Sequence, residues 1–290
     1  MVVTRSAANR KTPVPKSPTR WRPPSNADPS LPTGKATLRF FVLALALMIP
    51  FWVLGWLTGF QILPGLPVSA LGAVCPGVAA LLCAYWDNGR AGATKLLGRV
   101  FDAGRIAAWG WYAPVLLTMP IVMALSFVVQ RLAGAAVPLP RVALVSTLIL
   151  TVMFFAAAMG EELGWSGYAI DPLQARWGAL RASLVLGIFW AAYHYVGLAQ
   201  AHRSVAWMAW WTLGTIAARV VIVWLYNHTG RSVFAAALFH AMINVTWQQF
   251  PVGGSYYDPR VTGSILAAVA MIATIVGGGV AARSGSRLGA

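Results

Sequence analysis

The chain holds two glutamates, Glu161 and Glu162, side by side in the stretch AAAMGEELGWSG at the end of a long apolar run. An ionisable side chain within a membrane span costs at least ~2.5–3.5 kcal/mol on insertion scales, so each one there asks for a reason. Three more polar residues sit in apolar segments: His194, His240 and Asn244. If they converge, an acid pair, two imidazoles and an amide form one polar site, with a carboxylate that in partly apolar surroundings can take a proton and N–H groups that can stabilise developing negative charge. Each residue also has a plainer reading. The glutamates suit a helix end at the interface, His194 a hydrogen-bonded interior position, and His240 with Asn244 polar contact between helices. His202 and His228 fall in connections and read as surface residues.

The elements that must carry these groups are membrane helices. Of 290 residues 58% are hydrophobic and 10% charged, against about 25% charged in ordinary soluble domains. The expected fold is all-α, a polytopic bundle of about eight transmembrane helices near 40–60, 68–86, 109–129, 142–162, 182–200, 207–226, 232–250 and 263–282. Residues 1–39, with seven prolines and many basic residues, read as a disordered cytoplasmic tail rather than a cleaved signal peptide. Residues 40–282 form the transmembrane domain, with a catalytic core at about 142–250, and 283–290 a short C-terminal tail. Cys75 and Cys83 read as buried thiols.

With the N-terminus inside, seventeen Lys and Arg fall on inner segments and four, Arg131, Arg141, Arg203 and Arg260, on outer ones. That split predicts cytoplasmic termini. It assigns the formal charge of +15 to topology and anionic lipid rather than nucleic acid. The stretch 89–106 predicts an interfacial helix with Lys95, Arg99 and Asp102 on its polar face. By depth, Glu161 and Glu162 lie near the inner end of the fourth span. His194 lies roughly 18 Å and His240 roughly 12 Å from the inner ends of theirs, and Asn244 one turn beyond His240 on the same face. If they converge, they line one cavity facing the cytoplasm. Arg219, on the sixth span, has two readings. It snorkels to the headgroups, or it faces inward and pairs with Glu162.

In order, EELGWS (Glu161–Ser166), WAAYH (Trp190–His194) and HAMIN (His240–Asn244) resemble the three motifs of the CPBP family. These are intramembrane proteases related to CAAX prenyl endopeptidases and to Abi-like bacteriocin-processing or immunity proteins. The family's first motif ends in Arg, where this chain has Ser166. The resemblance implies an intramembrane endopeptidase acting on a membrane-proximal or lipidated peptide near the cytoplasmic face. It implies Glu161 as the base, Glu162 and His194 orienting water or base, and His240 and Asn244 as oxyanion donors. Two chemistries stay open: metal-free, or zinc held by Glu161, His194 and His240. The expected partners are membrane lipids and a peptide or protein substrate, in a multi-pass protein of a bacterial cell membrane. The competing class is a non-proteolytic protein of the same fold, in immunity or binding, or a transporter. A transporter would show repeated halves, and no internal repeat is visible.

Overall fold

The computed structural model describes residues 31–140 and 142–285; most of the N-terminal tail expected over 1–39 lies outside them. Among the described residues eight α-helices carry the fold: α1 Gly34–Thr58, α2 Cys75–Leu97, α3 Tyr112–Leu132, α4 Leu144–Gly164, α5 Ile170–Gln200, α6 Val205–His228, α7 Val233–Gln249 and α8 Pro259–Gly285. The strands among the described residues are the short pair β1 Gln61–Leu63 and β2 Leu66–Pro67, joined through Gly65 at a φ of 75°. The chain is an all-α bundle of the multi-pass membrane type. Its outer surface carries Leu38, Val42, Ile49, Leu148, Ile149, Val152 and Ile272, all at least half exposed, as suits a surface solvated by lipid tails rather than water.

The helices start and stop where their side chains satisfy free backbone groups. Thr33, Ser204 and Ser232 accept from Ala36, Trp207 and Ala235 N–H at the starts of α1, α6 and α7. Six runs among the described residues are long and apolar enough to cross a membrane. One of them, Leu144–Gln200, holds two of the expected spans, and α7, with 17 residues, falls short of that length. Helical structure continues from α4 through a π turn at Trp165–Ala169 into α5. Gly178 then breaks it with a φ of 75° and a ψ of 165°, a conformation open to glycine.

Contacts sort the helix ends onto two faces. On the first, Arg39 of α1 meets Asp87 of α2, Tyr168 donates to the same Asp87, and Asp171 accepts from Tyr226 near the end of α6. On the second, Gln200 of α5 donates to the Trp52 carbonyl near the end of α1. There also Gln249 of α7 donates to Thr147 near the start of α4, and Trp207 packs on Tyr257. Each helix runs from one face to the other, which leaves the start of α1 and the end of α8 on the first face.

The stretch 89–106 departs from the expected interfacial helix. Gly89, at a φ of 62°, breaks α2, and Gly98–Arg105 is a 3-10 segment. Two of its charged groups, Arg99 and Asp102, are turned into the protein. Asp102 accepts from Ser232 Oγ and from the N–H groups of Val233 and Phe234, capping α7. Arg99 donates to the carbonyls of Gly167 and Arg231 and to the Tyr226 hydroxyl. This segment thus fastens the π turn, α6 and α7 together on the first face.

Candidate active site

Glu161 and Glu162 follow one another on α4, so their side chains diverge by about 100°. Glu162 turns into the protein and is fully buried. Its carboxylate accepts from Arg219 Nη1 at 2.8 Å and Nη2 at 3.0 Å, from His240 Nδ1 at 2.9 Å, and from the Ser166 hydroxyl. Arg219 is itself fully buried, with its guanidinium 4.1 Å from the centre of the Trp190 ring. It faces the interior and does not snorkel. Ser166, at the position of the family arginine, bonds the same carboxylate that Arg219 neutralises.

Glu161 turns the other way, into a cavity of about 280 Å³ that His194, His240 and Asn244 also line. The indoles of Trp165 and Trp190 donate to Glu161 Oε2 at 3.1 and 2.8 Å. Oε1 stays open toward both imidazoles, 3.9 Å from His194 Nε2 and 4.0 Å from His240 Nε2. The structure therefore brings four of the five expected site residues into one cavity. Glu162 stands behind them and is not among its lining residues.

The hydrogen bonds fix which ring nitrogens face the cavity. His194 Nδ1 lies 2.8 Å from the Trp190 carbonyl, which can only accept, so Nδ1 carries the proton. His240 Nδ1 donates to the Glu162 carboxylate. In their neutral forms both histidines present an Nε2 lone pair toward Glu161. The Asn244 amide, also in the cavity lining, can donate without a change of protonation, whereas His240 donates from Nε2 only as imidazolium.

Zinc with ~2.0–2.1 Å bonds in tetrahedral geometry sets its ligand atoms roughly 3.4 Å apart. The Glu161–His194 and Glu161–His240 separations are wider, and no group of three His, Cys, Asp or Glu side chains among the described residues is gathered to hold a metal ion. These residues as placed do not fit zinc.

Sequence reading missed the two tryptophans that hold Glu161. Trp190 was visible as the first residue of WAAYH, and its spacing of four from His194 puts both on one helix face. His228, read as a surface residue, is packed between the rings of Trp111 and Trp224 at 5.3 and 4.8 Å. Cys75 and Cys83 are buried free thiols as expected.

The cavity lining also includes residues 62, 65–67, 69–71 and 73 of the α1–α2 connection, Arg203 between α5 and α6, and Tyr257 between α7 and α8, all on the second face.

Residues 143–246 match the family model "Type II CAAX prenyl endopeptidase Rce1-like". A stretch of 144 residues, 45% of this chain and 53% of the relative, is 31% identical to "CAAX prenyl protease 2" of Methanococcus maripaludis. The chain thus spans about half the length of that curated relative. The source of this relative is archaeal, and a bacterial membrane is not singled out. The matched stretch holds Glu161, Glu162, His194, Arg219, His240 and Asn244. The stretch that carries the three motifs, Glu161–Ser166, Trp190–His194 and His240–Asn244, is thus the stretch similar to Rce1-like CAAX prenyl endopeptidases.

Proposed function

We propose that the protein is an intramembrane endopeptidase in which Glu161 activates water against a peptide bond. The observation that carries this reading is the open Oε1 of Glu161, 3.9 and 4.0 Å from the Nε2 atoms of His194 and His240. Those gaps are too long for direct hydrogen bonds, yet one water bonding at about 2.8 Å to each side spans them. Oε1 takes the water proton as oxygen attacks the carbonyl carbon. His194 holds the second water hydrogen through its Nε2 lone pair and so aims the oxygen. The Asn244 amide, one turn past His240 on α7, receives the developing oxyanion. Glu161 passes the proton it took to His240 Nε2, and the resulting imidazolium donates to the oxyanion beside Asn244 and then protonates the leaving amine as the C–N bond breaks, which restores the Glu161 carboxylate and neutral His240. Glu162 positions His240 and does not touch water. The apolar cavity wall, with Met48, Met119, Met153, Phe154 and Leu266, excludes bulk water and suits an apolar or lipid-bearing substrate.

The name of the relative suggests the probe: a fluorogenic prenylated peptide ending in Cys-a-a-X, tested beside its unlipidated form in detergent. Glu161→Gln keeps an oxygen for the two indoles but no base. It should lower turnover about 10²–10⁴-fold with an unchanged melting temperature. Cleavage by the wild type with near-equal turnover by Glu161→Gln would overturn the assignment. A wild type inert toward both peptides and toward a random peptide library would favour the non-proteolytic class.

A further inference from the structure

We infer that the Arg203 guanidinium holds the C-terminal carboxylate of the bound peptide, so that the cavity selects a free chain end as well as an apolar substrate. This rests on the protease reading for the word peptide, and on the surroundings of Arg203 for the carboxylate. Among the described residues that line the cavity, Arg203 is the one Lys or Arg. It lies in the connection between α5 and α6, where its backbone N–H donates to the Leu198 carbonyl and holds that connection against the last turn of α5. The guanidinium is 4.7 Å from the Trp207 ring centre, and a β-carbon at Gly65 would come within 2.9 Å of its Nη2. The indole on one side and the β1–β2 hairpin on the other thus fix it in the cavity wall, so that little freedom is left to lose on binding. Its charge has no carboxylate partner. Every Asp and Glu among the described residues is engaged elsewhere: Asp87, Asp102, Asp171 and Asp258 with other arginines, Glu162 with Arg219, and Glu161 with two indoles. Burial lowers the Arg203 pKa, so its charged form gains from an incoming anion. A carboxylate matches the guanidinium fork with two parallel hydrogen bonds.

Spacing sets how much chain fits between this anchor and the reacting bond. α5 ends at Gln200, six residues past His194, which is roughly 9 Å along its axis. A second route runs along α6. Trp211 packs on His194 with ring centres 5.7 Å apart, and Trp207, one turn or roughly 6 Å away, carries Arg203. Both routes put the guanidinium on the order of 10 Å from the gap between His194 and Glu161. An extended peptide covers ~3.3–3.6 Å per residue, so about three residues reach from the cleaved bond to the bound carboxylate. The indoles of Trp207, Trp211 and Trp247 belong to the cavity wall, which suits apolar side chains in that short segment. A chain that continues past this point offers Arg203 a neutral amide and leaves its charge unpaired.

The experiment measures binding without turnover, and so fails separately from the protease reading. In the full-length Glu161→Gln protein in neutral detergent, fluorescence anisotropy gives the Kd of a labelled prenylated peptide ending in Cys-a-a-X and of its C-terminal amide. The free acid is expected to bind about 10–100-fold tighter, as a charge-assisted pair allows. Adding Arg203→Gln should weaken the acid to the level of the amide. Adding Arg203→Lys, which keeps the charge but not the fork, should retain part of the preference. Equal affinities for acid and amide with Arg203 in place, binding of neither peptide, or a preference that survives Arg203→Gln overturns the inference. Equal affinities together with stabilisation by phosphatidylglycerol that Arg203→Gln abolishes would assign the guanidinium to a lipid phosphate instead. An Arg203-dependent preference in a protein whose wild type cleaves no peptide keeps the carboxylate site and sinks the hydrolytic assignment alone. Melting temperatures of both Arg203 variants within a few degrees of the background confirm that the folded protein is being read.

Discussion

Arg219 on α6 and Glu162 on α4 form a two-pronged ion pair at 2.8 and 3.0 Å with neither side chain exposed to solvent. The pair is the hub of the site. Glu162 orients His240 through Nδ1, and Arg219 lies on the Trp190 ring, whose indole N–H holds Glu161. One buried ion pair thus sets the direction of both groups that face the cavity.

Removing one partner of such a pair leaves an uncompensated buried charge, at a cost of about 3–5 kcal/mol. Arg219→Leu should therefore lower the melting temperature and abolish cleavage. A structural role alone predicts no rescue from position 166. Because the Ser166 hydroxyl already reaches the Glu162 carboxylate, Arg219→Leu with Ser166→Arg should regain part of both. A double variant no better than Arg219→Leu in melting temperature and turnover would refute the exchange.

Asn244 can donate to the oxyanion without any change of protonation. Losing one such donor costs ~2.7–4 kcal/mol of transition-state stabilisation. Asn244→Ala should lower kcat about 10²–10³-fold with KM little changed. A change confined to KM would mean that Asn244 binds substrate rather than the transition state.

Asp102 caps α7 from a separate segment, accepting two backbone N–H groups and the Ser232 hydroxyl. A lost cap costs about 0.5–2 kcal/mol, and α7 carries both His240 and Asn244. Asp102→Ala should lower stability by that amount and reduce turnover, while Asp102→Asn, which keeps an acceptor, loses less. Equal losses from both, read by thermal unfolding, would assign the effect to charge rather than capping.

The eight helices and the partners of the cavity were legible because apolar length and helical spacing act locally. The i, i+4 step from His240 to Asn244 needs no knowledge of the rest of the chain. The Arg219–Glu162 pairing was legible as one of two alternatives, from matched depth and a missing cation at Ser166. Two features were not. The indole bonds to Glu161 depend on rotamers that sequence does not state. Asp102 reads as one more charge on an amphipathic stretch until α7 is seen above it.

The last prediction concerns metal. Glu161, His194 and His240 supply the donor types of a catalytic zinc site, and in the neutral tautomers both Nε2 lone pairs face Oε1. Donor type alone would favour zinc. Donor spacing does not: 3.9 and 4.0 Å from Oε1 exceed the roughly 3.4 Å edge that tetrahedral zinc imposes. Closing both gaps would pull His240 from Glu162, whose carboxylate is already held by Arg219. The same gaps accommodate a water without movement. Protein purified without chelator should therefore contain well under one equivalent of zinc, and turnover of the fluorogenic peptide should survive EDTA and 1,10-phenanthroline. One equivalent of zinc, lost in both His194→Ala and His240→Ala together with chelator-sensitive turnover, would replace the water-bridged geometry with a metal-bound one.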